Sequence, residues 1–158
     1  MNAPKPRRAA RLRSRREPDY RGLAELRHQI RRFLKFSERA ARAAGVEPQQ
    51  HQLLLAIRGL PEGQRPTIGV LAERLQLAHH TVVGLVDRLE AAKLVRRCAS
   101  AEDGREILLG ITGGGERLLR SLSLAHRAEL ETVGPALAEA LAAIVGTRAK
   151  RPPTRGLG

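Results

Sequence analysis

The stretch TIGVLAERLQLAHHTVVGLVDRLEAAKLVRR, residues 67–97, decides the fold. Val70, Leu71, Ala72 and Leu75 make one apolar stripe, and Val82, Leu85, Val86 and Leu89 make a second at the i, i+3, i+4, i+7 spacing of a core-facing helix. Gln76-Leu77-Ala78 between them leaves room only for a sharp corner. Thr67 is placed to cap the first helix, Ala72 is small where the helices cross, and Leu77 can plug the corner. Two short helices around a tight turn are helix-turn-helix spacing, which points to DNA.

The residues that follow strengthen that reading. Leu94 to Cys98 alternates apolar and basic side chains as a strand does; Ala99 to Arg105 is a polar loop containing Asp-Gly; Ile107, Leu109 and Ile111 alternate again. Helix, turn, helix and hairpin make a winged helix. Periodicity alone fits any small helical bundle; the basic hairpin favours the DNA reading.

Working outward, Tyr20 to Ala44 reads as a long helix with Leu23, Leu26, Ile30, Phe33 and Leu34 on one face, ended by Gly45. Pro48 opens a helix to Arg58 that buries Leu53, Leu54, Ala56 and Ile57. Thr112 is a candidate cap for a further helix whose first turn Gly113-Gly114-Gly115 weakens. Gly134-Pro135 is expected to break that helix, leaving a final short one through Leu137, Leu141, Ile144 and Val145. The expected class is mostly α with a small β-hairpin wing: a basic tail over 1–19, a dimerisation helix over 20–46, a winged helix over 47–111, C-terminal dimerisation helices over 112–147 and a second basic tail over 148–158. Leucine-rich helices at both ends, with little sequence left to cover them, predict a two-fold homodimer.

A net charge of +13 over 158 residues invites nucleic acid, but the charge is concentrated. Lys5, Arg7, Arg8, Arg11, Arg13, Arg15 and Arg16 precede the first helix, and Arg148, Lys150, Arg151 and Arg155 follow the last, so the body between is nearly neutral. Such tails grip phosphate without sequence preference, which makes a nonspecific nucleic-acid binder or adaptor the alternative function. Tyr20, Phe33 and Phe36 are the only aromatic residues, too few for base-stacking RNA platforms. A single cysteine, Cys98, excludes an intramolecular disulfide and favours a reducing interior. No apolar run has the length of a membrane span and none follows the twin arginines, so neither membrane attachment nor export is expected and a cytoplasmic location is.

Metal and catalysis are weak rivals. His79 and His80 diverge by about 100° on a helix, and no Cys or carboxylate stands nearby at ligand spacing. Cys98 has no partner at a recognisable spacing in His51 or His126, and Gly113 to Gly115 lacks the Lys-Ser/Thr of a phosphate loop. No cofactor and no enzyme activity are expected. His28 and His51 read as satisfied polar positions, or as lining for a ligand cleft.

The chain resembles the multiple antibiotic resistance regulator (MarR) family of bacterial transcription factors. The resemblance rests on Pro48-Gln49-Gln50, Thr67-Ile68, Leu71-Ala72, Leu85-Val86-Asp87-Arg88-Leu89-Glu90, Leu94-Val95-Arg96-Arg97, Asp103-Gly104-Arg105 and Ile111-Thr112, and covers Arg21 to about Val145. It implies a homodimer on pseudo-palindromic double-stranded DNA, usually a repressor and often released by small aromatic or phenolic ligands. It also implies that the helix from about His79 to Ala92 enters the major groove and that Arg105 enters the minor groove from the wing. By the same resemblance Asp87 holds the wing through an ion pair with Arg105 or Arg97. The candidate DNA contacts are Thr67, His79, His80, Thr81, Val83, Arg88, Arg97, Ser100 and Arg105, with Asp87 and Asp103 positioning the wing. The chain departs from the family at Ala78, which cannot cap, and at Val83-Gly84, which stand where a hydroxyl and an arginine are usual.

Overall fold

The computed structural model describes residues 19–146. The basic tails expected over 1–19 and 148–158 lie outside the described residues, Asp19 apart. Along the chain run α1 (Tyr20–Ala43), α2 (Pro48–Arg58), α3 (Ile68–Leu75), α4 (His79–Ala91), β1 (Val95–Ala99), β2 (Ile107–Ile111) and α5 (Gly113–Val145). They fall into two compact units, residues 34–130 and the segments flanking them.

Residues 34–130 contain the winged helix. Leu53 and Leu54 of α2, Leu71 of α3, Val82, Leu85, Val86 and Leu89 of α4, Val95 and Leu109 of the hairpin and Leu119 of α5 make one buried core. Every apolar residue of the α4 stripe is in it, as the spacing requires. Local chemistry sets the boundaries. After α1, Gly45 takes φ +84°, a backbone that L side chains resist, and the Val46 N–H returns to the Ala41 carbonyl at 3.1 Å. The Thr67 hydroxyl accepts the Val70 N–H at 3.3 Å and starts α3. The corner after α3 is made by Gln76 at φ 54°, ψ 42°, with Leu77 N–H returning to the Ala72 carbonyl at 3.0 Å. Ala78 begins α4 without a side-chain cap.

β1 and β2 pair antiparallel, Val95 opposite Ile111 and Ala99 opposite Ile107. Leu109 also donates its N–H to the Pro66 carbonyl at 2.9 Å, tying the loop before α3 to the wing. At the start of α5 the Thr112 hydroxyl donates to the Lys93 carbonyl at 2.7 Å and accepts the Gly115 N–H at 3.1 Å. A Cβ on Gly115 would stand 2.2 Å from the Leu94 carbonyl oxygen. Glycine is therefore required for close approach here.

One expectation is corrected. Gly134-Pro135 does not end a helix; α5 runs unbroken from Gly113 to Val145 with Pro135 inside it. Proline forfeits one intrahelical hydrogen bond, and the helix-forming residues on both sides, ALAEALAA after Pro135 among them, carry the helix through.

In the flanking unit Asp19 caps α1 by accepting the Gly22 N–H at 2.8 Å, and Val133 and Ala140 of α5 are buried. Tyr20, Leu23 and Ile30 of α1 and Leu141 and Val145 of α5 remain exposed in the single chain.

Within residues 34–130 one buried polar cluster stands out. His51 is 4% exposed and its Nδ1 has no hydrogen-bond partner, a departure from the satisfied position expected. His126 lies against it at 4.9 Å between ring centroids, with Phe36 edge-on to His126 at 5.6 Å. The His126 ring nitrogens meet the Leu122 carbonyl and the Ser37 hydroxyl at 2.6 and 2.7 Å. Burial, with the neighbouring His126 adding to it, lowers the His51 pKa below 6.5.

Candidate nucleic-acid interface

The outer face of α4 is set by the face it buries. With Val82, Leu85, Val86 and Leu89 inward, His79, His80, Asp87 and Arg88 are exposed and Thr81, Val83 and Gly84 are half-buried. His79, His80, Thr81, Val83 and Arg88 therefore share the accessible part of the helix. A Cβ on Gly84 would meet nothing nearer than the tip of Arg88, at 3.9 Å. The side chain missing there is not excluded by packing.

Arg97 is half-buried and bonded within the protein. Its Nη2 donates to Asp87 Oδ1 at 2.6 Å, its Nη1 to Glu90 Oε2, and its backbone N–H to Glu90 Oε1 at 3.1 Å. The hydrogen bond to Asp87, with Glu90 adding to it, raises the Arg97 pKa further above its ordinary range. Of the two partners left open for Asp87, the structure uses Arg97. An arginine expected at DNA thus holds β1 to α4, because two carboxylates three residues apart on one helix face outcompete solvent for its planar fork.

Ser100 is corrected in the same sense. It is 4% exposed, and its hydroxyl accepts from the amides of Glu102 and Asp103, each at 3.2 Å, and from Arg65. A short hydroxyl at the base of a tight loop bonds local backbone before it can reach outward. Asp103 organises the tip: its carboxylate accepts the Arg105 N–H at 3.0 Å and its carbonyl the Glu106 N–H at 2.9 Å. The Arg105 side chain is exposed at that tip. Thr67 keeps its hydroxyl on the α3 cap and is half-buried.

Three further residues belong to this arrangement: Glu90, Arg65 and Glu106. Glu90 was legible, since it lies one helical turn from Asp87 on the same face. Arg65 and Glu106 were not, because their ion pair at 2.8 Å joins positions far apart in the chain. Among the described residues no cluster of three His, Cys, Asp or Glu could hold a metal ion. No described helix is long and apolar enough to cross a membrane.

Residues 44–106, from the end of α1 to the wing tip, match the MarR family. No curated protein matches the sequence. Among solved structures, a mutant of MepR from S. aureus bound to an oligodeoxyribonucleotide is similar at TM-score 0.59 and 22% identity, over 82% of this chain and 95% of that one. CouR from Rhodococcus jostii RHA1 bound to p-coumaroyl-CoA is similar at TM-score 0.61 and 23% identity, over 84% and 96%. A transcriptional regulator from Thermotoga maritima reaches 29% identity at TM-score 0.56, over 77% and 84%. The helix-turn-helix and the wing lie inside the segment that matches the MarR family, and the fold of the chain is that of these solved winged-helix structures.

Proposed function

We propose that the protein is a homodimeric repressor that binds a pseudo-palindromic operator and is released by a small aromatic ligand. The carrying observation is the tie between Arg97 in β1 and Asp87 and Glu90 in α4. It couples the wing to the helix, so that His79, His80, Thr81, Val83 and Arg88 on one and Arg105 on the other act as one reading head. His79, His80 and Thr81 supply hydrogen-bonding groups for base edges and Val83 an apolar contact for a thymine methyl. The exposed apolar residues of α1 and α5 supply a surface for a second copy, which sets two heads roughly 34–36 Å apart. MepR's oligodeoxyribonucleotide and CouR's p-coumaroyl-CoA support DNA and an aromatic acyl compound as the partner classes.

A gel-shift titration at fixed salt tests the reading. Arg105→Ala is expected to weaken binding to a selected duplex by roughly 1–3 kcal/mol, and unchanged affinity would remove the wing from the account. If deletion of residues 1–16 instead abolishes binding and duplex sequence makes no difference, the basic tail is the binder and the operator reading fails.

A further inference from the structure

We infer that Arg65, in the loop before α3, is a further wing-positioning residue, which fixes the loop carrying Arg105 and acts on DNA through Arg105 rather than by touching DNA itself. The inference rests on the reading of the wing as a DNA contact. The Arg65 Nη1 lies 2.8 Å from Glu106 Oε2 and 3.3 Å from Glu102 Oε2, while Nη2 donates to the Ser100 hydroxyl. That hydroxyl also accepts the Glu102 and Asp103 amides, the Ser100 N–H donates to the Glu106 carbonyl at 2.8 Å, and Asp103 accepts the Arg105 N–H. A continuous set of hydrogen bonds therefore leads from the guanidinium to the backbone of Arg105. The bond from Leu109 N–H to Pro66 holds the Arg65 loop against β2, so the anchor is itself anchored.

The side chain is 37% exposed and borders a groove shared with Thr67 and Arg74, which makes direct phosphate contact the rival role. Charge argues against it. Two carboxylates surround the one guanidinium, so the cluster carries a net negative charge that repels phosphate. Lysine could supply the charge but not the fork that reaches carboxylate and hydroxyl together.

The probe is a duplex enriched from a randomised library by the wild-type protein, used in a double-mutant cycle of Arg65→Ala and Arg105→Ala. Positioning predicts that Arg65→Ala weakens binding about tenfold when Arg105 is present and less than about twofold when it is absent. Equal losses in both backgrounds mark a direct contact or a general loss of fold, and overturn the inference. Glu106→Gln separates the roles a second way and stands in if Arg65→Ala does not fold. It removes a negative charge beside the DNA, so weaker binding supports positioning and tighter binding overturns it. A library from which no duplex is enriched overturns the DNA reading as a whole, whereas an enriched duplex with an additive cycle overturns this inference alone.

Discussion

Gly115 shows how much a single position can decide. Its missing Cβ lets the first turn of α5 pass the Leu94 carbonyl, where a methyl group would sit at 2.2 Å from the oxygen and 2.6 Å from Ile111 Cγ2. Gly115→Ala is expected to destabilise the fold by about 1–3 kcal/mol through backbone displacement, read as a lower midpoint in denaturant; an unchanged midpoint would show that the turn can shift freely. Gln76 is the opposite case, a residue with a side chain held in the left-handed region because the corner between α3 and α4 demands it. His51 makes a prediction about pH. Its folded pKa lies below the 6.5 of the unfolded chain, so on acidification the unfolded state takes up the proton first. Stability contributed by neutral His51 is thus complete above about pH 6.5 and falls as pH drops toward the lower folded value. The described titratable group facing it is His126, with the uncharged Ser37 and Phe36 behind. Urea melts from about pH 8 to about pH 5 should show this fall, and His51→Leu should flatten it; an equally steep fall in the variant would assign the effect elsewhere.

At the scale of elements, the wing and the reading helix behave as one part because their shared polar contacts are internal. Both terminal nitrogens of the Arg97 guanidinium are engaged by the Asp87–Glu90 pair. Arg105, in the loop between β1 and β2, is exposed at the tip and has no ion pair among the described residues. Helix α5 illustrates the reverse error, reading too much into a local signal. Gly134-Pro135 carries a breaking propensity, yet a helix of this length absorbs the loss of one backbone bond. Pro135→Ala should consequently raise stability by about 1–3 kcal/mol in thermal unfolding, and a lower midpoint would mean that the proline serves packing instead.

At the scale of the whole molecule, the terminal helices carry large apolar side chains that a single chain leaves exposed. Tyr20 and Val145 are 76% and 66% exposed, and Leu23, Ile30, Leu130 and Leu141 are each at least 40% exposed on the same two helices. Scattered exposed leucines are ordinary, but a concentration on the terminal helices is what a two-fold interface would cover. Sedimentation should give a dimer for the wild-type protein and a monomer for Ile30→Glu combined with Leu141→Glu; a monomeric wild type at micromolar concentration would rule out the dimer.

The winged helix was legible in the sequence because its signals are local. Apolar residues at helical spacing, a Thr67 cap, a Gly45 stop and an alternating hairpin each act over a few residues, and all agree. What only the tertiary structure decided is which polar side chains remain available. Arg97 and Ser100 have the chemistry of DNA contacts, and Arg65 and Glu106 have no local signature, yet folding brings carboxylates to both arginines and backbone amides to the serine. A side chain's role depends on its competitors for hydrogen bonds, and those come from residues distant in the chain. That is why the reading helix and the wing could be found from residues 67–97 and the hairpin after them, while the division of that head into contacts and supports could not.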